Sequence, residues 1–214
     1  MDTILEAVAR ACCHGLDARS LCIGGHVLPF CARCTGTYTG VAAAISALAV
    51  LGRLRDHRLP GPWKMALLAV PWAVSGTARL LEFAGSDLAG NAGRAFLGFA
   101  CGATGVVIFA PLFARVLWPR NLEDSGSTAA RVVGVGVLLS PAALIFAGAR
   151  YAYLALAPTT GFLLAVIAIN ALVGASLVSQ RHRLLSAAWA LVACACAAEI
   201  AFASSAHGWL AAML

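Results

Sequence analysis

The sequence predicts an all-α fold: a polytopic integral membrane bundle of about six transmembrane helices that follows an N-terminal Cys/His-rich segment. Apolar residues make up 61% of the 214 residues and charged residues only 11%, whereas a soluble domain has about 45–50% apolar and about 25% charged residues. Several windows are each apolar over the ~20 residues that a spanning helix needs. The breaks between these windows are short, which favours one compact bundle.

The predicted helices follow one another along the chain with one ambiguous segment between them. They cover residues 35–51, 65–83, 92–113, 132–148, 161–178 and 184–203. Residues 150–160 are apolar too, and are expected either to lengthen a neighbouring helix or to lie at the membrane interface. The chain is therefore divided into a metal-site segment, residues 1–34, and a helical bundle, residues 35–214.

Small residues at regular spacing predict where two of these helices meet. Gly36 and Gly40 are four residues apart in the first window, as are Gly98 and Gly102 in the third. This spacing places both glycines of a pair on one helix face, where the absence of side chains lets another helix approach closely in lipid. We interpret both pairs as packing features.

The positive charge indicates orientation rather than nucleic-acid binding. The net charge of +6 comes almost wholly from arginine, and no soluble basic domain is present to carry a nucleic-acid site. The first, third and fifth loops hold nine basic residues against five on the opposite side. Because cytoplasmic loops are richer in Lys and Arg, this bias predicts a multi-pass protein of the cell membrane whose Cys/His segment is extracytoplasmic.

Most of the chemically reactive residues lie before the first predicted helix. Five of the eight cysteines are within the first 34 residues. Cys31 and Cys34 have the spacing at which one turn presents two thiolates to a tetrahedral ion. The upstream pair Cys13–His14 would complete a zinc site, with His26 as the rival fourth ligand. The intervening Gly24-Gly25 lets the chain fold back, as a closed site requires.

Other interpretations of these cysteines stay open. Cys31 and Cys34 could form a thiol–disulfide redox pair, or the cysteines could form a structural disulfide or remain inert thiols. Arg33, between the two thiols, is expected to lower their pKa values. A lower pKa would assist both metal binding and nucleophilic attack, so it does not separate the two functions.

The segment also holds more polar residues than metal coordination needs. Those predicted to act in a site beside the metal are Arg19, Ser20, His26, Arg33, Tyr38 and Arg94. The arginines among them, and Arg79 with them, would hold an anionic group. Arg79 and Glu82 are three residues apart on one helix, so they are also expected to pair with each other.

The stretch from Cys13 to Gly40 resembles the defining motif of an uncharacterised family of small bacterial and archaeal membrane proteins, known as a domain of unknown function. The matching positions are Cys13, His14, Arg19, Ser20, Gly25, Pro29, Cys31, Ala32, Arg33, Cys34, Thr35, Gly36, Tyr38 and Gly40. A looser second block matches at Pro71, Gly76, Asn91, Arg94 and Gly98. The resemblance implies a membrane bundle with a Cys-rich site, favours His14 as the fourth ligand, and supplies no reaction. Ser75 stands where the family usually has aspartate. If that aspartate is a catalytic group, this chain has either lost it or moved its role to Glu82 or Asp87.

We therefore predict an integral membrane metalloprotein with a zinc site at the membrane surface. Its expected partners are membrane lipid and a lipid-like or anionic small molecule, and it could be an enzyme acting on a lipid or isoprenoid-type substrate. The alternatives are a membrane thiol oxidoreductase that uses Cys31 and Cys34, a transporter or metal-handling protein, and a purely structural zinc knuckle.

Overall fold

The structure is a computed structural model that describes residues 6, 8–11, 13, 17–86, 90–117, 150–177 and 198. Residues 8–11 are helical, and a single 3-10 turn spans Asp17–Arg19. The elements that follow are β1 Ser20–Ile23, β2 His26–Cys31, α1 Ala32–Val50, α2 Pro62–Phe83, α3 Gly90–Leu117 and α4 Arg150–Leu177. The protein is mostly helical in this part of the chain, with one small sheet.

Four predicted windows correspond to these helices. The windows 35–51, 65–83, 92–113 and 161–178 fall on α1 to α4 in order. Because α4 begins at Arg150, residues 150–160 lengthen the helix predicted at 161–178, which is one of the two outcomes expected. The windows 132–148 and 184–203 lie outside the described residues, apart from residue 198.

The prediction of an exclusively helical chain is wrong for the Cys/His segment, where β1 and β2 form an antiparallel hairpin. Gly24 and Gly25 join the strands with φ values of +60° and +81°. Two successive residues with positive φ make the type of tight turn whose twist matches that of paired strands, and glycine adopts it without a steric penalty. The sequence's Gly-Gly turn therefore does fold the chain back, as expected, but into a hairpin that ends at Cys31.

The helix α1 begins directly where the hairpin ends. Cys31 has extended backbone angles at the helix N-cap, and its sulfur accepts a hydrogen bond from the Cys34 backbone N–H at 3.5 Å. An N-cap acceptor satisfies one of the N–H groups that a helix start leaves without a partner. The two cysteines thus lie on either side of a strand-to-helix junction, and Cys34 is in the first helical turn.

The helices α1 and α3 pack backbone against backbone. A Cβ added at Gly36 would collide with the carbonyl group of Ala95, and one added at Gly102 would collide with the carbonyl group of Thr37. Side chains at these positions would hold the helices apart, so only glycine permits this approach. The prediction that the spaced glycines are packing features is confirmed.

The helix α2 packs mainly against α3, and much of its surface is exposed. Trp72 donates from its Nε1–H to the Thr104 hydroxyl at 3.0 Å, and the Cys101 thiol contacts the Pro71 carbonyl oxygen at 3.4 Å. No residue of α2 is buried. Its exposed large apolar residues are Trp63, Leu67, Val70, Trp72, Val74, Leu80, Leu81 and Phe83.

Within the described residues, one helix is long and apolar enough to cross a membrane, at Gly90–Arg115 of α3. Its 26 residues span about 39 Å at the helical rise of about 1.5 Å per residue. The hydrocarbon core of a bilayer is about 30 Å thick, so the length is sufficient.

Candidate metal centre

Three cysteine sulfurs meet where the hairpin joins α1. The Sγ atoms of Cys13, Cys31 and Cys34 all lie within 4.8 Å of one another. Cys13 comes from the segment before the hairpin, Cys31 is the last residue of β2, and Cys34 is in the first turn of α1. Because the hairpin returns the chain beside its own start, cysteines 18 positions apart in the sequence reach one another.

The cluster lies in an apolar environment. Cys13 and Cys31 are buried with Val8, Ala9, Phe30 and Phe162, and Cys34 packs against this group. The Cys31 backbone N–H donates to the Cys13 sulfur at 3.2 Å. Such N–H to sulfur bonds stabilise negative charge on sulfur and fix the direction in which the thiol points.

The thiols raise one another's pKa values. Hydrogen bonding to the Cys13 sulfur, and then to the Cys31 sulfur, raises the pKa of Cys34 well above its ordinary value, and burial adds to this. The pKa of Cys31 is raised first by its contact with Cys13 and then by burial, against an opposing hydrogen bond with Cys34. These causes outweigh any lowering by the neighbouring Arg33, so the net shift of both pKa values is opposite to the expected one. Thiolates this close together and this buried are unfavourable unless a cation compensates their charge.

The fourth ligand is not settled by the described residues. His14, which the sequence favours, lies outside them. His26 is the first residue of β2, at the exposed turn of the hairpin, and Cys31 is the last. Five steps along a strand measure about 16 Å. The structure therefore does not bring His26 to the sulfurs.

A cleft of about 350 Å³ opens beside the sulfurs. Its lining residues are Cys13, Arg19, Cys31, Arg33, Cys34, Arg79, Glu82, Phe83 and Arg94. They come from the N-terminal segment, the start of α1, the end of α2 and the start of α3. Three cysteines and four arginines from separate segments of the sequence thus line one cleft.

Glu82 links two of these arginines. Its Oε1 accepts from Arg33 Nη2 at 2.9 Å and from Arg94 Nε at 3.1 Å. The side chains of Glu82 and Arg94 are only 10% and 9% exposed. A carboxylate shared between two guanidinium groups in a partly buried site makes charge-assisted hydrogen bonds that are stronger than those at a protein surface. The network fixes the ends of α1, α2 and α3 relative to one another.

Asn91 connects this network to the hairpin. Its Oδ1 accepts from Arg94 Nη1 at 2.9 Å, and its Nδ2 donates to the carbonyl oxygens of Ser20 at 3.0 Å and Ala18 at 3.2 Å. A single amide thereby holds the start of α3 against the start of β1. Asn91 is one of the positions at which the second block of the family resemblance matches.

The remaining predicted site residues lie near the cleft without lining it. Ser20 is buried and pairs across the hairpin with Cys31. Tyr38 stacks edge-on against Phe30 and Phe162, with ring centroids 6.2 Å and 5.2 Å away. These contacts give both residues a structural part in holding the sulfur cluster in place.

Sequence spacing assigned Glu82 the wrong partner. The expected ion pair between Arg79 and Glu82 does not form, because Glu82 instead pairs with Arg33 and Arg94. Both real partners are on other helices, so helical spacing carries no signal for them. Among the possible replacements for the family's aspartate, Glu82 lines the cleft, and Asp87 lies outside the described residues.

Comparisons with known proteins place the whole cleft within one homologous region. A family model described as a predicted membrane protein (DUF2085) matches residues 13–109, a range that contains every residue lining the cleft. The Uncharacterized protein MJ1492 of Methanocaldococcus jannaschii is 34% identical over 116 residues, which cover 54% of this chain and 72% of that protein. No solved structure matches. The motif resemblance is confirmed, and the chain belongs to the DUF2085 family of predicted membrane proteins.

Proposed function

We propose that this protein is a multi-pass membrane metalloprotein whose metal is held by Cys13, Cys31 and Cys34. The observation that carries the proposal is the convergence of three sulfur atoms within 4.8 Å. A disulfide uses two sulfurs and leaves the third without a role, whereas one tetrahedral ion uses all three. The geometry therefore favours a metal centre over a thiol–disulfide pair.

Zinc is the metal that we assign to the site. Thiolate ligands with at most one imidazole select zinc, copper(I) or iron–sulfur clusters, and a tetrahedral set of sulfur and nitrogen donors is typical of zinc. His14 adjoins Cys13 in the sequence and is our proposed fourth ligand. If an exogenous group takes that position instead, the site has the open coordination of a catalytic centre.

The multi-pass arrangement is supported by what the helices expose. The helices α2 and α4 contain 22 and 28 residues, which span about 33 Å and about 42 Å. Both expose large apolar side chains, including Trp63 and Phe83 near the two ends of α2 and Ile169 on α4. Contiguous exposed apolar surface is unfavourable in water and favourable in lipid.

We propose that the cleft is a catalytic site for a lipid-type substrate. It lies at the end of α3, the helix of membrane length, and it combines the cysteine cluster with arginines. A metal ion there would supply Lewis-acid chemistry at a substrate oxygen where that oxygen, rather than His14, takes the fourth coordination position. Arg33 and Arg94 are fixed by Glu82 in the wall of the cleft, and the arginines that line it would hold the anionic part of that substrate.

One labelling experiment tests both the metal centre and its side of the membrane. Cys22 is exposed and outside the cluster, and Cys34 lines the cleft. A membrane-impermeant thiol reagent applied to intact cells should modify Cys22 directly and Cys34 only after chelation, because a bound metal protects thiolates.

Three other labelling patterns would contradict parts of this account. Equal modification of Cys34 with and without chelator would exclude a metal held by that sulfur. Release of Cys34 by a reductant rather than by a chelator would favour the thiol oxidoreductase. Modification of Cys22 only after cell lysis would place the hairpin in the cytoplasm.

A further inference from the structure

We infer that the cleft binds a phosphoryl group, with Arg19 and Arg79 as the residues that receive it. This deepens the proposed function, since it names the substrate class of the same site. The chemistry that is recognised is a tetrahedral group with several anionic oxygens, whether it belongs to a lipid headgroup or to a free phosphate.

The first support is the charge of the lining. Among the described residues that line the cleft, four guanidinium groups face one carboxylate, that of Glu82, so these residues carry three positive charges when the thiols are protonated. A divalent ion on three thiolates would lower this to two. The cleft is electropositive in either case, and low-dielectric walls concentrate such a potential on a small anion.

The second support is the division of the arginines into two pairs. Arg33 and Arg94 already share the Glu82 carboxylate. Within the described part of the chain, Arg19 and Arg79 form no ion pair with any acidic group, although Arg19 is close enough to act on Glu82 through its charge. Both are exposed and line the cleft. A guanidinium presents a planar fork of donors that matches phosphate oxygens two at a time.

The third support is a donor without an acceptor. The Nε–H of Arg33 is buried and has no hydrogen-bond partner among the described residues. A buried donor left without a partner costs about 1–3 kcal/mol. The atom has no surface open to the cleft, so a phosphoryl oxygen would become its acceptor through a turn of the Arg33 side chain toward the cleft.

The number of oxygens on the anion also distinguishes between possible ligands of the cleft. A phosphoryl group is large enough to contact two arginines through some oxygens and to approach the cysteines with another. A carboxylate has only two oxygens and would leave more of the donors without partners. The donor set therefore favours a phosphoryl group over a carboxylate.

The experiment is calorimetric titration of the full-length protein in detergent with two probes. Inorganic pyrophosphate represents a free phosphate, and dioctanoyl phosphatidic acid represents a lipid headgroup, with dioctanoyl phosphatidylcholine as the zwitterionic reference. We expect one or both anionic probes to bind. Arg19→Ala and Arg79→Ala should each weaken that binding by about tenfold or more, the size expected for a lost bond to a charged group.

Two further variants separate recognition from general charge. Arg58→Ala removes an exposed arginine in the loop between α1 and α2, at the opposite end of these helices, and should leave binding within about twofold. Glu82→Gln removes the only carboxylate among the described residues that line the cleft and should strengthen binding, because the repulsion of the anion disappears. A fold defect would weaken binding in every variant. Tighter binding by Glu82→Gln, together with weaker binding by the two arginine variants, therefore distinguishes recognition from misfolding.

The outcomes are decisive for this inference. Binding of phosphatidic acid alone identifies a lipid source, binding of pyrophosphate alone identifies a free phosphate, and either result supports the site. The inference is overturned if neither probe binds, if the Arg19 and Arg79 variants bind as tightly as the wild type, or if Arg58→Ala weakens binding equally. The same titration of metal-free protein separates the test of the anion site from the test of the metal centre. The cleft stays electropositive without an ion, so anion binding there does not depend on the metal.

Discussion

Replacing Cys13, Cys31 or Cys34 with serine is expected to remove the bound metal. The three sulfurs lie within 4.8 Å of one another, so in the proposed site each would supply one corner of a single coordination sphere. A serine hydroxyl is a poor substitute for a thiolate, and structural zinc sites lose most of their affinity when a thiolate ligand is lost. The metal content of protein purified without added metal, measured by elemental analysis, should fall from about one ion per chain in the wild type to near zero in each variant.

Two other cysteines provide matched controls for this loss. Cys22→Ser changes an exposed thiol, and Cys101→Ser changes a buried one, and both thiols lie outside the cluster. Both variants should retain the wild-type metal content. If the three cluster variants also retained it, or if Cys101→Ser lost as much metal as they did, the site drawn here would be wrong.

Gly102→Ala is expected to destabilise the fold more than any other single methyl addition to α3. The added Cβ would collide with the carbonyl group of Thr37, which belongs to the α1 backbone and cannot rotate away as a side chain would. Overpacking of this kind costs about 3 kcal/mol or more, which lowers a thermal midpoint by about 10 °C in a chain of this length. Thermal unfolding followed by circular dichroism in detergent measures the shift.

The control for this variant is the same substitution in open space. Gly76 lies in α2, and a Cβ there would meet nothing within 4 Å. Gly76→Ala should leave the midpoint unchanged or raise it slightly, because alanine favours a helix over glycine by about 1 kcal/mol. An equal loss of stability in both variants would show that close packing of α1 on α3 is not what the glycines provide.

Local sequence features predicted much of the helical fold. Apolar length located α1 to α4, because a helix that avoids water over ~20 residues leaves a continuous apolar window. Glycine spacing located the contact between α1 and α3, because close approach requires small residues on one face. The sequence predicts the turn at Gly24-Gly25 but not the hairpin as an element. The short β1 and β2 lack the alternation of apolar and polar residues that marks a strand.

The candidate site could be predicted only in part, because a single sequence shows which residues are local neighbours and not which helix ends meet. Cys31 and Cys34 are neighbours in the sequence, and their pairing with Cys13 follows from ligand chemistry. Glu82 was paired with Arg79 because only local neighbours are visible in a single sequence. Its real partners, Arg33 and Arg94, come from α1 and α3. Their contact depends on how the helix ends meet, which is a property of the packed bundle.

The most direct test of the metal centre is X-ray absorption at the edge of the metal that copurifies with the wild-type protein. Three thiolates and one further ligand predict about three sulfur scatterers at about 2.3 Å and one lighter scatterer at about 2.0–2.1 Å. A zinc edge with this first shell is the result that the proposed site predicts. A first shell of oxygen and nitrogen alone, or one with a single sulfur, would contradict a metal held by Cys13, Cys31 and Cys34.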